Sequence, residues 1–90
     1  MARETSVKAL IAAGGYAVNA WCSIGSSSVA EVVAGLGFDS VTIDLQHGAV
    51  DYDTAFAMLQ AVSTTPAMPM ERVPWNDPAL MMKLLDAGAY

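Results

Sequence analysis

What these ninety residues lack narrows the field before anything they contain. There is one cysteine, Cys22, which can close no disulfide within the chain and has no second thiol for a metal pair. It is expected as a reduced, structural residue inside a strand. Basic residues number four against nine acidic ones, giving a net charge of −5. Arg3, Lys8, Arg72 and Lys83 are scattered, so neither the basic stripe that nucleic acid requires nor a polybasic segment for an anionic membrane is present. No apolar run approaches the roughly 20 residues that cross a bilayer. The run at residues 9–13 follows Glu4, ends at Gly14-Gly15, and suits a short amphipathic helix better than a secretory signal. A soluble, cytoplasmic protein is the expectation. A phosphate-binding glycine fingerprint is also missing, since Gly35-Leu36-Gly37 falls at a helix end, on the wrong side. Histidine occurs once, and no residues stand at convincing metal-ligand spacing.

What is abundant is apolar surface. Hydrophobic residues make up 54% of the chain and charged ones only 14%, an enzyme-like balance unlike that of a disordered chain. A length of ninety residues suits one small domain or a piece of a larger one. So apolar a chain of this size is expected to rest against something it does not itself encode.

The patterning alternates strand and helix. Residues 4–13 predict a short helix stopped by Gly14-Gly15, and residues 16–24 a first strand. The serines of Gly25-Ser26-Ser27-Ser28 can cap a helix whose apolar face is Val29, Val32, Val33 and Leu36, closed by Gly35 and Gly37. Residues 38–45 predict a second strand. Asp51 or Asp53 caps the next helix, with Tyr52, Ala55, Phe56, Leu59 and Val62 on one face. A third strand is expected at 67–73, with Pro69 an awkward residue in its middle. Asp77 with Pro78 marks a last helix start, Met81, Leu84 and Leu85 its apolar face, and Gly88 its stop. Repeated βα units at this spacing imply right-handed crossovers and a parallel sheet of the α/β class.

In such sheets the chemistry sits at the carboxyl ends of the strands. Asp44, Gln46 and His47 lie where the second strand should stop, just before Gly48. Histidine titrates near neutral pH and can take and return a proton within one cycle. Strand parity puts Thr42, Asp44 and Gln46 on one face, so His47 points the other way unless the strand has ended. Arg72 has the equivalent place on the third strand, either as an ion pair with Glu71 or Asp77 or as a fixed cation for a carboxylate or oxyanion. Asp86 is either a solvated helix residue or the carboxylate that orients His47. Trp21 and Trp75 read as core or wall. One carboxylate, Asp44, holds a divalent ion poorly unless through water.

Taken together, Asp44-Leu45-Gln46-His47-Gly48, Arg72-Val73-Pro74-Trp75-Asn76-Asp77-Pro78 and Leu84-Leu85-Asp86-Ala87-Gly88-Ala89 resemble the HpcH/HpaI aldolase family. These are metal-dependent class II pyruvate aldolases, close to the 4-hydroxy-2-oxoheptanedioate and 2-keto-3-deoxy acid aldolases. The likeness runs from Trp21 and Gly25-Ser26-Ser27 to Gly88. It implies a (β/α)8 TIM barrel, of which residues 1–90 would be the N-terminal portion, a leading helix and three βα units, truncated after the third.

The resemblance also implies reversible aldol cleavage of a 4-hydroxy-2-oxo acid to pyruvate and an aldehyde, through a metal-stabilised enolate. A divalent ion (Mg, Mn or Co) is implied, its direct ligands beyond Tyr90 and none within the chain. In that scheme His47, through a metal-bound water, removes a methyl proton, and Asp86 pairs with His47. Arg72 binds substrate and steadies the enolate, Trp21 lines the substrate site, and Asp44 and Gln46 stand near the metal without binding it. Gln46 replaces the family's usual glutamate, which removes a negative charge there. The implied partners are a small keto acid, an aldehyde and further copies of the chain as a trimer or hexamer, with no nucleic acid or membrane. Two alternatives stay open: a catalytically incomplete piece that acts only with partner chains, and a lyase of the citrate-lyase or malyl-CoA type. The absence of a CoA-phosphate patch counts against the latter.

Overall fold

Each helix begins where a short polar side chain takes up a free backbone N–H, and each strand follows a turn. The computed structural model describes residues 6–90. It orders them as α1 (Val7–Ala12), β1 (Asn19–Cys22), α2 (Ser27–Ala34), β2 (Ser40–Asp44), α3 (Tyr52–Ser63), β3 (Met68–Arg72) and α4 (Pro78–Asp86). Ser6, Ser26, Asp51 and Asp77 are the caps; Ser26 Oγ accepts from Val29 N at 3.3 Å and Asp51 Oδ1 from Thr54 N at 2.9 Å. Of the two candidates for α3, Asp51 is thus the cap, and Asp53 sits in the first turn. Pro78 opens α4, where its missing N–H is no loss. The expectation of a helix from residue 4 is met from Val7 onward; Glu4 itself lies outside the described residues.

The three strands are parallel in the order β1-β2-β3. Register pairs Trp21 with Thr42 and Cys22 with Ile43 on one side, and Thr42 with Met70 and Asp44 with Arg72 on the other. The result is three βα units after a leading helix, the arrangement that opens a (β/α)8 barrel. β2 is central and buried throughout. Val41 and Ile43 face the helices, in a core with Ala20, Cys22, Ala30, Ala34, Ala55, Met58, Leu59, Val62 and Leu84. Cys22 is a free, buried thiol in β1, as its place in the sequence implied. On the opposite face stand Ser40, Thr42 and Asp44, bonded by their neighbours on β1.

Several expectations change; in α3, Phe56 is exposed and Met58 is buried in its place. The first strand is shorter than 16–24, because the strand pairing of β1 rests on four residues of β2. In α2 only half of the expected apolar face turns inward: Val29 and Val33 pack against the core, Val32 and Leu36 are 66% and 70% exposed, and Ala30 and Ala34 are buried. Small side chains let α2 lie close against the sheet and α3, so the inward face is rotated toward the alanines. In α4 only Leu84 is buried, with Met81 and Leu85 exposed.

Pro69 proves harmless in β3. In a parallel strand a residue's N–H and C=O point to the same side. The Pro69 carbonyl accepts from Tyr90 N at 3.0 Å, away from β2, so the donor that proline lacks would have faced the outer edge. Among the described residues no helix is long and apolar enough to cross a membrane.

Candidate functional site

All three strands end on one rim, at Cys22, Asp44 and Arg72. Asp44, the last residue of β2, is only 2% exposed and organises that rim. Its Oδ1 accepts the backbone N–H groups of Gln46 at 2.9 Å and His47 at 3.0 Å. Its Oδ2 accepts the indole N–H of Trp21 at 3.0 Å. The carboxyl is held below its ordinary range, first by the His47 N–H, then by the Trp21 and Gln46 bonds and the Arg72 charge, against burial that pushes it up. Asp44 is therefore a carboxylate at neutral pH and serves as a fixed acceptor.

The strand stops at Asp44 because its side chain captures the next two free N–H groups. Residues 45–49 bend away, which resolves the parity problem and leaves His47 exposed on the rim. Gly48 is required by close approach: a Cβ there would strike the Asp44 carbonyl oxygen and come within 3.1 Å of Ser23 Cα. Ala49 N donates to Ser23 O at 3.1 Å and Leu45 N to Arg72 O at 2.9 Å. The His47 loop is thus sewn to both neighbouring strands.

Arg72 lies across the rim on β3. Its Nη1 is 3.8 Å from Asp44 Oδ2, its guanidinium carbon is 5.6 Å from the centre of the Trp21 ring, and its side chain is 40% exposed. The ion-pair partner is Asp44, not Glu71 or Asp77, because residues at strand parity face opposite sides of the sheet and only Arg72 points to the Asp44 side. Trp21, 54% exposed, joins the two charges. The sequence reads this indole as core or wall, and the resemblance as part of the substrate site; its contact with Asp44 follows from the register that aligns β1 with β2.

Asp86 is not brought to His47 within one chain. It ends α4, which runs back from the rim, and Tyr90, four residues on, pairs with Pro69 near the amino end of β3. His47 stands at the carboxyl end. Gln46 is exposed beside His47, its backbone rather than its amide engaged with Asp44. For a divalent cation the fit is poor: among the described residues no three His, Cys, Asp or Glu side chains cluster, and both Asp44 oxygens already accept N–H groups.

On the other face of β3 stands Glu71, which the sequence offers only as an ion-pair partner for Arg72. Neither of its carboxyl oxygens has a hydrogen-bond partner, and burial pushes its pKa to about 8. It borders a cavity of about 150 Å³ lined by Val73, Met81, Leu84, Leu85, Ala89 and Tyr90.

No family model matches the chain. An Escherichia coli 4-hydroxy-2-oxo-heptane-1,7-dioate aldolase is 40% identical over 85 residues, covering 94% of this chain and 32% of the relative. A Salmonella arizonae protein of the same name is 37% identical over 86 residues, covering 96% and 33%. Among solved structures, an HpcH/HpaI aldolase/citrate lyase family protein from Burkholderia cenocepacia superposes with a TM-score of 0.74 at 37% identity, over 81% of this chain and 30% of that one. The citrate synthase SbnG gives 0.83 at 30% identity, over 93% and 34%. The chain spans about a third of the length of the curated relatives it matches.

Proposed function

Because the chain belongs to the HpcH/HpaI aldolase family, we propose that the protein it forms part of is a carbon–carbon lyase. It would cleave a 4-hydroxy-2-oxo acid reversibly to pyruvate and an aldehyde. The observation that carries this reading is the guanidinium of Arg72, fixed at the rim beside the His47 loop by a buried carboxylate and an indole face. A pyruvate methyl proton is far too weak an acid for imidazole alone. A fixed cation at the enolate oxygen or the carboxylate lowers that barrier, and a preorganised one does so without reorganisation in the reaction step.

In this scheme Arg72 binds the keto acid and shares the enolate charge. His47, exposed on a loop anchored at its own N–H, carries the methyl proton. Trp21 walls the site. A divalent metal belongs to the reading through the family likeness, and its ligands would be residues outside these ninety. Asp44 and Gln46 would lie near it rather than on it. Asp86 could meet His47 only from a second copy, which agrees with the homo-oligomer the likeness implies. The domain is proposed as the first three βα units of the barrel.

The test is deuterium exchange into the methyl group of pyruvate by the full-length protein. His47→Ala is expected to abolish exchange; exchange at the wild-type rate would remove His47 as the base. The likeness to a citrate synthase favours a citrate-type lyase as the second reading. Incubation with pyruvate alone separates the two, since only the pyruvate aldolase exchanges that methyl group.

A further inference from the structure

An arginine beside a buried aspartate ordinarily closes on it, through one or two short charge-assisted hydrogen bonds. Here it does not. Nη1 stops at 3.8 Å from Oδ2, beyond hydrogen-bond range, and among the described residues the guanidinium donates no hydrogen bond at all. Among the described residues none of its five N–H donors has a hydrogen-bond acceptor. Trp21 explains both facts. Its N–H occupies Oδ2, the oxygen nearest Arg72, and its ring stands against the guanidinium carbon at 5.6 Å. The first contact fills one of the two acceptor positions on Oδ2 and, with the two backbone bonds on Oδ1, fixes the carboxylate's rotation; the second gives the cation an alternative resting place.

We propose that Trp21 is a positioning residue that holds Arg72 off Asp44, so that the guanidinium meets an incoming α-keto carboxylate with its donors free. The identity of that anion rests on the aldolase reading; the geometry does not. Asp44 stays near enough to fix the direction of the cation without consuming it. Removing the indole N–H while keeping a ring should let Arg72 fall onto Asp44 in the free enzyme. Each keto acid would then have to break that pair before binding. The loss is in the ground state, so it falls more on KM than on kcat.

The experiment is Trp21→Phe in the full-length protein, read three ways. In a crystal structure the Arg72–Asp44 separation is expected to drop from 3.8 Å to hydrogen-bond range, about 2.9 Å. The calorimetric dissociation constant for pyruvate is expected to rise about tenfold, and KM for exchange to rise by a larger factor than kcat falls. In an Asp44→Asn background, Trp21→Phe is expected to add no further loss, because the residue acts through Asp44. An unchanged separation overturns the proposal, as does an equal loss in both backgrounds, the mark of a plain wall residue. Pyruvate binding needs no turnover. A wild-type protein that binds pyruvate but exchanges no proton sinks the aldolase reading alone, and a Trp21→Phe protein that binds like wild type sinks this one alone.

Discussion

At the scale of single residues, two acids on adjacent strands are driven in opposite directions. Asp44 is buried but accepts three N–H groups, so its folded pKa lies below the unfolded value of 3.8. Its contribution to stability is present above that value and is lost as pH falls through the lower folded one. Asp44→Asn should therefore melt at a lower temperature than wild type near pH 7, with the difference shrinking below pH 3.8. Thermal melts across that range check it. Glu71 is the reverse case, raised from 4.5 to about 8 by burial with no partner for either oxygen. The folded state prefers the proton, so stability falls as pH rises from 4.5 and the full penalty is reached above about 8. Glu71→Gln should flatten that slope and stabilise the protein at alkaline pH, by on the order of 1–2 kcal/mol after allowance for screening at a partly open site. A melting temperature at pH 9 no higher than wild type would rule this out.

At the scale of elements, the rim depends on loops clamped between strand ends. Gly48→Ala would force a Cβ against the Asp44 carbonyl and crowd Ser23, with backbone on both sides and no flexible side chain to yield. Overpacking of that kind costs about 1–3 kcal/mol. The His47 N–H bond to Asp44 lies in the same loop, so exchange activity should fall more than stability does. Parallel melting and exchange assays separate the two effects. The helix caps act locally. Ser26→Ala removes the acceptor for Val29 N and should cost about 1 kcal/mol, read by denaturant midpoint, with activity retained.

At the scale of the whole molecule, the chain leaves much apolar surface open. Trp21, Ile24, Val32, Leu36, Leu85 and Tyr90 are each more than half exposed, and Tyr90 already pairs with the outer edge of β3. Residues 1–90 produced alone should therefore associate, giving a light-scattering mass above 9.4 kDa. A clean monomer would show that these faces tolerate water unaided.

The amino-acid sequence by itself determined the order of elements, the parallel sheet, the cap at Asp77 and the strand ends at or just beyond which Asp44, His47 and Arg72 stand. Those follow from local rules: β-branched runs, capping side chains and glycine stops act over a few residues. It also carried the resemblance to the family, because three motifs fell in order, two at strand ends and one at a helix end. Only the tertiary structure decided which helical faces turn inward, since α2 buries Ala30 and Ala34, which fit against its neighbours, and leaves Val32 and Leu36 exposed. Only it joined Trp21 to Asp44 and set Arg72 beside both, because strand register brings residues 23 and 28 positions away onto one carboxylate. It also separated Asp86 from His47, for a helix that returns along its strand carries its last residue to the opposite end of the sheet.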